Sequence, residues 1–238
     1  MTDTSSALRI VWIYPDLLST YGDQGNVLVL KRRAELRGIP TETVQVLSSD
    51  PVPEQGDVYL LGGGEDRPQI LAAQRLRADG GLKRAAEAGA AVLAVCAGYQ
   101  IVGESFGDDD DNPLAGVGIL DVRSGRGQTR AVGEIVADVD PALGAGRITG
   151  FENHQGRTAV GPSARPLSTT ATGIGNGDGT EGAVQGQVVG TYLHGPALPR
   201  NPALADMLLS WRVGGELAPL PPAWGERLHE ERLAAALG

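Results

Sequence analysis

The sequence predicts an α/β protein with an open, mainly parallel sheet, helices on both faces of that sheet, and an additional antiparallel, β-rich part. Three observations indicate this class. Apolar strand-like runs alternate with helical segments up to residue 96, a pattern typical of parallel sheets. Beyond residue 96 the β-like runs are short and broken by glycine, as in antiparallel sheets. A chain of 238 residues, 41% of them hydrophobic, is long enough to bury one large core.

The first half of the chain alternates strands and helices. The predicted strands are Leu8–Tyr14, Thr41–Leu47, Asp57–Leu61 and Ala90–Val95. The loop Pro15–Gly25 is rich in turn-forming residues, and Asn26 is expected to be the N-cap of an amphipathic helix that ends at Gly38. The residues on or near the apolar face of this helix are Val27, Leu30, Ala34 and Leu36. A second helical region, Pro68–Gly89, is rich in Ala, Leu and Arg.

The second half is expected to be largely antiparallel. Short β-like runs fill Gly116–Val139 and Gly150–Gly190, and a buried strand returns at Val188–Leu193. A helix follows at Asn201–Val213, and a final amphipathic stretch covers Glu226–Leu237. These patterns predict one main domain over residues 1–213 and a C-terminal helical extension over residues 214–238.

Composition and charge argue against several classes of protein. A single cysteine excludes an intramolecular disulfide framework, and no segment has the pattern of a secretory signal, so the cytoplasm is the expected compartment. The uncharged run Gly89–Gly98 is too short to insert across a membrane, and a net charge of −9 disfavours nucleic acid as a partner. The four adjacent acids Asp108–Asp111 lack the alternating spacing of a calcium loop, so no metal site is expected.

Cys96 is the first candidate for chemistry. It directly follows the apolar run Ala90–Val95 and precedes Ala97 and Gly98, which is the strand, nucleophile and helix order of a nucleophile elbow. The amide of Ala97 would point toward an oxyanion formed beside the sulfur, and Gly98 would let substrate approach. The positive end of the following helix, together with a nearby histidine, would lower the pKa of the thiol. The competing interpretation is a small buried side chain without reactivity.

Three histidines are candidates for the general base. His194 follows the strand-like run Val188–Leu193, so it lies at the same sheet edge as Cys96 and is the best placed. His154 is alternatively a loop histidine bonded to backbone, and His229 is expected to face solvent on the last helix. Imidazole suits the role because its ordinary pKa allows it to accept the thiol proton and to return a proton to a leaving amine.

These motifs carry a family resemblance. Ala94–Gln100 and Tyr192–Gly195 resemble the class I, triad-type glutamine amidotransferases, in the branch that includes the cobyric acid synthases. More narrowly, three further segments resemble the GatD-type glutaminase subunits of lipid II isoglutaminyl synthases: Tyr14–Asn26, Gly62–Gln69 and Gly150–His154. The resemblance extends from the first strand to His194 and implies the class I amidotransferase fold.

The resemblance implies a role for each matching position. Cys96 would be the nucleophile, His194 the base, and the amides of Gly64 and Ala97 the oxyanion hole. Arg130 matches the arginine that holds glutamine in this subfamily, since a guanidinium pairs well with the α-carboxylate. Arg123 and Arg126 compete with Arg130 for this role. Gln100 is assigned either to positioning substrate or to capping the helix.

Two positions depart from the wider family. Ala94 replaces a glycine that many class I enzymes have two residues before the nucleophile, and Pro196 replaces the glutamate that many have two residues after the histidine. The acid that orients His194 is therefore missing locally. Either another carboxylate of this chain, such as Glu152, completes the triad, or a partner subunit supplies it.

The resemblance further implies a partner and a pathway step. The partner would be a MurT-like subunit of the Mur ligase family, forming a heterodimer that amidates the D-glutamate α-carboxyl of lipid II with ammonia from L-glutamine. The sequence has no phosphate-binding loop, so ATP and Mg²⁺ are expected on the partner and no cofactor on this chain. The reaction would be cytoplasmic, near the inner membrane face that holds the partner's lipid-linked substrate. The alternatives are a glutaminase component of cobyric or cobyrinic acid amidation, which the short chain disfavours, and a non-catalytic regulatory module.

Overall fold

One continuous sheet runs through the computed structural model, which describes residues 7–107, 112–221 and 224–237; the acidic run Asp108–Asp111 lies outside them. The first part of the chain contains β1 (Leu8–Ile13), α1 (Gln24–Glu35), β2 (Thr41–Val46), β3 (Val58–Leu61), α2 (Asp66–Asp79), α3 (Gly81–Glu87), β4 (Ala91–Val95) and α4 (Ala97–Val102). The second part contains β5 (Ser105–Phe106), β6 (Leu114–Ala115), β7 (Val122–Val139), a 3₁₀ turn (Pro141–Leu143), β8 (Arg147–Val160), β9 (Arg165–Thr172), β10 (Thr180–Gln185), β11 (Val188–Thr191), α5 (Ala197–Arg200), α6 (Pro202–Val213) and α7 (Trp224–Leu237).

The sheet has a parallel half and an antiparallel half. Across the described residues the strand order is β2-β1-β3-β4-β11-β10-β9-β7-β5-β6, and β8 pairs with β7 beside this path. The pairs β2–β1, β1–β3, β3–β4 and β4–β11 are parallel. The pairs β11–β10, β10–β9, β9–β7 and β7–β8 are antiparallel. The division predicted from the sequence is therefore confirmed.

The parallel strands β3, β4 and β11 form the centre of the core. Every residue of these three strands is buried, which requires cover on both faces of the sheet. Helices α4 and α6 both pack on β4. The helices fall into two sets, with α1, α5 and α7 packed around α6 in one set and α2, α3 and α4 in the other. Helices on both faces were predicted, and the structure confirms them.

The start of α1 differs from the prediction. Asn26 lies inside the helix, and the N-cap is Asp23. The buried Asn26 side chain instead accepts a hydrogen bond from the amide of Leu198 at 2.9 Å, so it joins α1 to α5. Leu36, expected near the apolar face, is half exposed because α1 ends at Glu35.

The antiparallel half contains longer strands than the short runs that were expected. β7 has 18 residues and β8 has 14, and both contain glycines that resemble strand breaks in the sequence. Two glycines of β8 permit close packing instead. A Cβ atom at Gly150 would lie 2.7 Å from Leu193 Cβ, and one at Gly156 would lie 2.2 Å from Gln100 Nε2. The long β7–β8 hairpin therefore reaches the ends of the parallel strands.

The C-terminal part packs on α1 through charged side chains. Arg33 donates two hydrogen bonds to the carboxylate of Asp206 on α6, at 2.7 and 2.8 Å, and a third to Glu226 on α7 at 3.1 Å. Arg37 donates to the same Asp206 carboxylate at 2.8 Å. The helical extension thus exists as α7, while its boundary at residue 214 remains a prediction.

Asp206→Ala is expected to lower the free energy of unfolding by about 3 kcal/mol, the scale for removing one partner of a buried ion pair. The reason is that the Arg33 and Arg37 side chains are only 12% and 4% exposed and would lose their shared carboxylate. Denaturant unfolding measures the change. Glu54→Ala is the matched control, because the Glu54–Arg84 pair has the same 2.7 Å distance but is about half exposed, so no measurable loss is expected. Equal effects of the two variants would contradict the prediction.

Candidate active site

Cys96 lies in a sharp turn between β4 and α4. Its backbone has φ 52° and ψ −105°, a conformation that non-glycine residues rarely adopt and that is characteristic of a nucleophile elbow. Gly98, expected to admit substrate, has a different role. A Cβ there would lie 2.9 Å from Leu61 Cβ and 3.0 Å from the carbonyl oxygen of Gly62, so the glycine lets α4 pack against the end of β3.

The turn Gly62–Gly64, called the glycine turn below, follows β3 beside the elbow. A Cβ atom at Gly63 would lie 2.8 Å from His194 Cε1 and 3.6 Å from Cys96 Cβ. The proposed nucleophile and base therefore flank the same point of the glycine turn. The structure brings together the two chemical groups that the sequence placed at one sheet edge.

A cleft of about 490 Å³ opens beside Cys96. The floor includes Gly64 and Ala97, the two proposed oxyanion donors. Ala97 is the first residue of α4, so its amide has no acceptor within the helix, and this amide donates toward the Cys96 sulfur. One wall is formed by residues of the β7–β8 hairpin, which are Gly125, Arg126, Arg130, Asn153, His154, Gln155 and Gly156.

His194 is buried against the glycine turn and is not among the residues that line the cleft. Its backbone pairs with that of Phe151 through two hydrogen bonds of 2.9 and 3.0 Å, and its ring packs on Tyr21 with centroids 4.3 Å apart. Both ring nitrogens lack a hydrogen-bond partner among the described residues. Pro196 packs against Gly25 of α1 and brings no carboxylate. The orienting acid of a triad is therefore absent from the described part of this chain.

Burial sets the resting protonation of the site. It raises the pKa of Cys96 to about 12, against the opposing effects of the Ala97 amide and Arg130, and it lowers the pKa of His194 to about 4, with a further contribution from His154. The prediction that the elbow lowers the pKa of the thiol is therefore wrong for this structure. At neutral pH the thiol and the imidazole are both neutral.

The surroundings of the other two histidines differ in part from those expected. The expected backbone contact of His154 is present, since Nδ1 lies 3.1 Å from the carbonyl oxygen of Gly156, but the residue lies in β8 rather than in a loop. Its ring stacks on Tyr192 with centroids 3.8 Å apart, and its Nε2 lies 3.4 Å from Glu152. His229 does not simply face solvent, since its Nδ1 lies 2.8 Å from the carbonyl oxygen of Arg200. This contact fixes α7 to α5.

Glu152 does not complete a triad with His194. Its carboxylate accepts hydrogen bonds from the amides of Ile174 and Gly175 at 2.9 and 3.0 Å and also contacts His154. Burial works to raise the pKa of Glu152, but these hydrogen bonds outweigh burial and hold the pKa below its ordinary value. Glu152 therefore fixes the wall of the cleft.

The structure separates the three candidate arginines. Arg130 and Arg126 line the cleft, where the β7–β8 pairing shifts register between Arg126 and Ala131. Arg130 also donates a 2.8 Å hydrogen bond from Nε to the side-chain oxygen of Asn153, which leaves the outer guanidinium nitrogens for a ligand. Arg123 lies in a different depression, beside Arg157.

Gln100 lines the cleft and does not cap its helix. It accepts a 2.7 Å hydrogen bond from Gln69 and donates a 3.2 Å hydrogen bond to the Tyr192 hydroxyl. The capping alternative is therefore wrong. The supporting roles of Gln69, Tyr192, Asn153 and Tyr21 were not assigned from the sequence, although all four lie in the segments that carry the family resemblance.

No group of three or more His, Cys, Asp or Glu side chains is arranged to hold a metal ion in residues 7–107, 112–221 and 224–237. In the same ranges, no helix combines the length and apolar character required to cross a bilayer.

Comparison with known proteins agrees with this geometry. The chain is 37% identical to the lipid II isoglutaminyl synthase (glutamine-hydrolyzing) subunit GatD of Staphylococcus aureus over 85% of this chain and 83% of that protein, and 34% identical to the subunit of the same name from Streptococcus pneumoniae over 85% and 79%. A glutamine amidotransferase structure from Thermotoga maritima superposes with a TM-score of 0.56 at 13% identity, over 98% of this chain and 93% of that one, which supports the fold alone. The CobB/CobQ-like glutamine amidotransferase domain profile matches residues 9–202, and the chain therefore belongs to that family.

Proposed function

We propose that this chain is the glutamine-hydrolysing subunit of a lipid II isoglutaminyl synthase. The observation that carries the proposal is Cys96 in a strained elbow, beside His194 and the glycine turn, at the floor of a cleft with an arginine wall. The similarity to two GatD subunits over most of both chains supports the choice of this enzyme within the family.

The reaction begins with a proton transfer inside the site. His194 takes the proton of the Cys96 thiol as the sulfur attacks the side-chain amide carbon of glutamine. The C–S bond forms, and the carbonyl oxygen becomes an oxyanion that accepts hydrogen bonds from the amides of Gly64 and Ala97. His194 then gives the proton to the amide nitrogen, the C–N bond breaks, and ammonia leaves. Water, deprotonated by His194, cleaves the γ-glutamyl thioester to glutamate and regenerates the thiol.

The cleft wall supports binding of the other end of glutamine. Arg130 is held by Asn153 and faces the cleft, where its guanidinium would pair with the substrate α-carboxylate. Gln100, held by hydrogen bonds to Gln69 and Tyr192, would form a hydrogen bond with the bound amino acid. These contacts would place the side-chain amide at Cys96.

Arg130→Ala is expected to raise the KM for glutamine about 10- to 100-fold, the cost of losing a hydrogen-bonded charge partner for a carboxylate. Steady-state ammonia release measures the change. Arg126→Ala and Arg123→Ala should have weaker effects, and Arg123 is the better control because it lies outside the cleft. A larger increase in KM for Arg126→Ala or Arg123→Ala than for Arg130→Ala would show that Arg130 is not the arginine that binds the glutamine carboxylate.

The released ammonia would pass to an ATP-dependent partner. We place that chemistry on a MurT-like subunit of the Mur ligase family, which would bind ATP and Mg²⁺ and activate the D-glutamate α-carboxyl of lipid II. The heterodimer would work in the cytoplasm, at the inner face of the membrane that holds the lipid. The unpartnered nitrogens of His194 support this assignment, because a docked subunit could supply the missing carboxylate.

The decisive experiment is reconstitution with a MurT-like subunit. The complex should release ammonia from L-glutamine and, with ATP and Mg²⁺, should convert lipid II to its isoglutamine form, detected by a mass decrease of about one unit as hydroxyl is replaced by amino. Ammonia release without lipid amidation would restrict the conclusion to a glutaminase with another acceptor. No release in any combination would indicate a non-catalytic module and overturn the proposal.

A further inference from the structure

We infer that Asp23 is a positioning residue that holds the glycine turn so that the Gly64 amide faces the cleft. The inference rests on the proposed glutaminase function. It arises from a buried carboxylate that the mechanism above does not use.

Asp23 does not form the contact usual at its position. It is the N-cap residue of α1, where an aspartate side chain ordinarily accepts from amides of the first helical turn, yet it makes no such bond. Its Oδ2 instead accepts a 2.8 Å hydrogen bond from the amide of Gly63, 40 residues away. The side chain is 3% exposed, and Oδ1 has no partner among the described residues. A buried carboxyl group with an unpartnered oxygen costs stability, so its presence calls for a function.

The Asp23 contact is one of three hydrogen bonds that fix the glycine turn. The carbonyl of Gly62 accepts from the amide of Gly98 in α4 at 3.2 Å, and the carbonyl of Gly63 accepts from the amide of Thr20 at 3.3 Å. The peptide between Gly62 and Gly63 is therefore held at its N–H by Asp23 and at its C=O by α4. These two hydrogen bonds join the glycine turn to the start of α1 and to α4, the helix that follows the elbow.

The direction of the Gly64 amide follows from these contacts. In a trans peptide the C=O and the N–H point in opposite directions. Because the carbonyl of Gly63 points to Thr20, the amide of Gly64 points away from Thr20, and Gly64 lines the cleft. The amide of Gly63 is occupied by Asp23, so Gly64 is the member of the turn that remains as an oxyanion donor.

The packing around the turn leaves little tolerance. A Cβ atom at Gly62 would lie 2.5 Å from Asp23 Oδ2, and one at Gly64 would lie 2.8 Å from the carbonyl oxygen of Leu17. Both glycines are thus required for the approach of the loop that carries Asp23. Loss of the acceptor at Asp23 would leave the Gly62–Gly63 peptide held at its C=O but not at its N–H, so the direction of the Gly64 amide would be less firmly fixed.

The test compares two substitutions in the complex with the MurT-like partner. Asp23→Ser introduces a hydroxyl that favours the N-cap position of α1, but the shorter side chain does not reach Gly63. Asp23→Asn retains an oxygen acceptor at the same distance. We expect Asp23→Ser to lower kcat for ammonia release about 10²-fold with KM nearly unchanged, the scale for losing one oxyanion donor, and Asp23→Asn to restore most of kcat.

Alkylation of Cys96 by iodoacetamide separates this role from a structural one. Alkylation is a displacement at a saturated carbon and builds no oxyanion, so it should be at least as fast in Asp23→Ser as in the wild type. Loss of the negative charge also favours the thiolate, since Asp23 contributes to the raised pKa of Cys96. Asp16→Ser is the matched control, because Asp16 lies on the same loop but accepts from Ser48, and turnover should be near wild type.

Each outcome bears on the inference. A folded Asp23→Ser variant with wild-type kcat overturns it and leaves the proposed function intact. Parallel loss of turnover and alkylation indicates general damage to the site and also overturns it, as does equal impairment of Asp23→Asn and Asp23→Ser. A wild-type complex that releases no ammonia overturns both this inference and the proposed function, so the two failures are distinguishable.

Discussion

Replacement of Cys96 by alanine is expected to abolish ammonia release from glutamine, with a loss in kcat on the order of 10⁴- to 10⁶-fold, the scale for removing a covalent nucleophile. The thiol is the chain's only sulfhydryl, and it lies between the amide of Ala97 and the glycine turn, so no neighbouring group can form the thioester in its place. The measurement is ammonia production by the complex with the MurT-like partner.

Labelling provides an independent readout for the same variant. A glutamine analogue that carries an electrophile at the side-chain carbonyl position should modify the wild-type chain once, at Cys96, and should not modify Cys96→Ala. Circular dichroism and the unfolding midpoint serve as controls, since the smaller side chain should preserve the fold. Retention of turnover in a folded Cys96→Ala variant would show that the elbow is not the site of chemistry.

Binding of the partner is expected to raise the glutaminase kcat of this chain by up to about 10⁴-fold, before any lipid substrate is added. Loss of the acid that orients a catalytic histidine costs that much in other triads. In this chain both nitrogens of His194 lack hydrogen-bond partners among the described residues. The carboxylate of Glu152 is already used, since it accepts hydrogen bonds from the amides of Ile174 and Gly175 and contacts His154. Steady-state kcat for the isolated chain and for the complex gives the ratio, and Cys96→Ala in complex gives the background.

The pH profile adds a second test of partner activation. The base must be neutral to accept the thiol proton, so activity is lost as the pH falls through the pKa of His194, which burial places at about 4 in the isolated chain. A carboxylate docked beside the imidazole favours its charged form and raises that pKa. The acidic limb of kcat/KM should therefore move to higher pH in the complex. Equal kcat and an unmoved limb would show that the site is self-sufficient.

The sequence predicts those parts of the fold and site that depend on neighbouring residues along the chain, such as the order of strands and helices. Alternation of strands and helices placed the carboxyl ends of β3 and β4 at one edge, and with them the glycine turn and Cys96. His194 was placed at the same edge through the strand-like run that precedes it, whereas Arg130 was assigned through the family resemblance. The structure places His194 beside the glycine turn and Arg130 in the cleft wall, and their roles stay predictions.

The remaining features depend on contacts between distant segments. The hydrogen bond from Gly63 to Asp23 spans 40 residues and replaces the capping contact that local rules predict at α1. Gly150 and Gly156 of β8 resemble strand breaks in the sequence, and only the structure shows that they pack against Leu193 and Gln100. The pKa of Cys96 depends on its burial, which tertiary packing alone determines, so local reasoning from the elbow gave the wrong direction.

The protonated resting state of Cys96 also bears on oxidative damage. Peroxides attack the thiolate rather than the thiol, and a sulfenic acid is rescued most readily by a second cysteine that resolves it as a disulfide. This chain has no second cysteine, so an oxidised Cys96 would have no internal route back. Because burial raises the pKa of Cys96 and so disfavours the thiolate, we expect peroxide to inactivate the resting chain more slowly than it would an enzyme with an exposed, low-pKa cysteine.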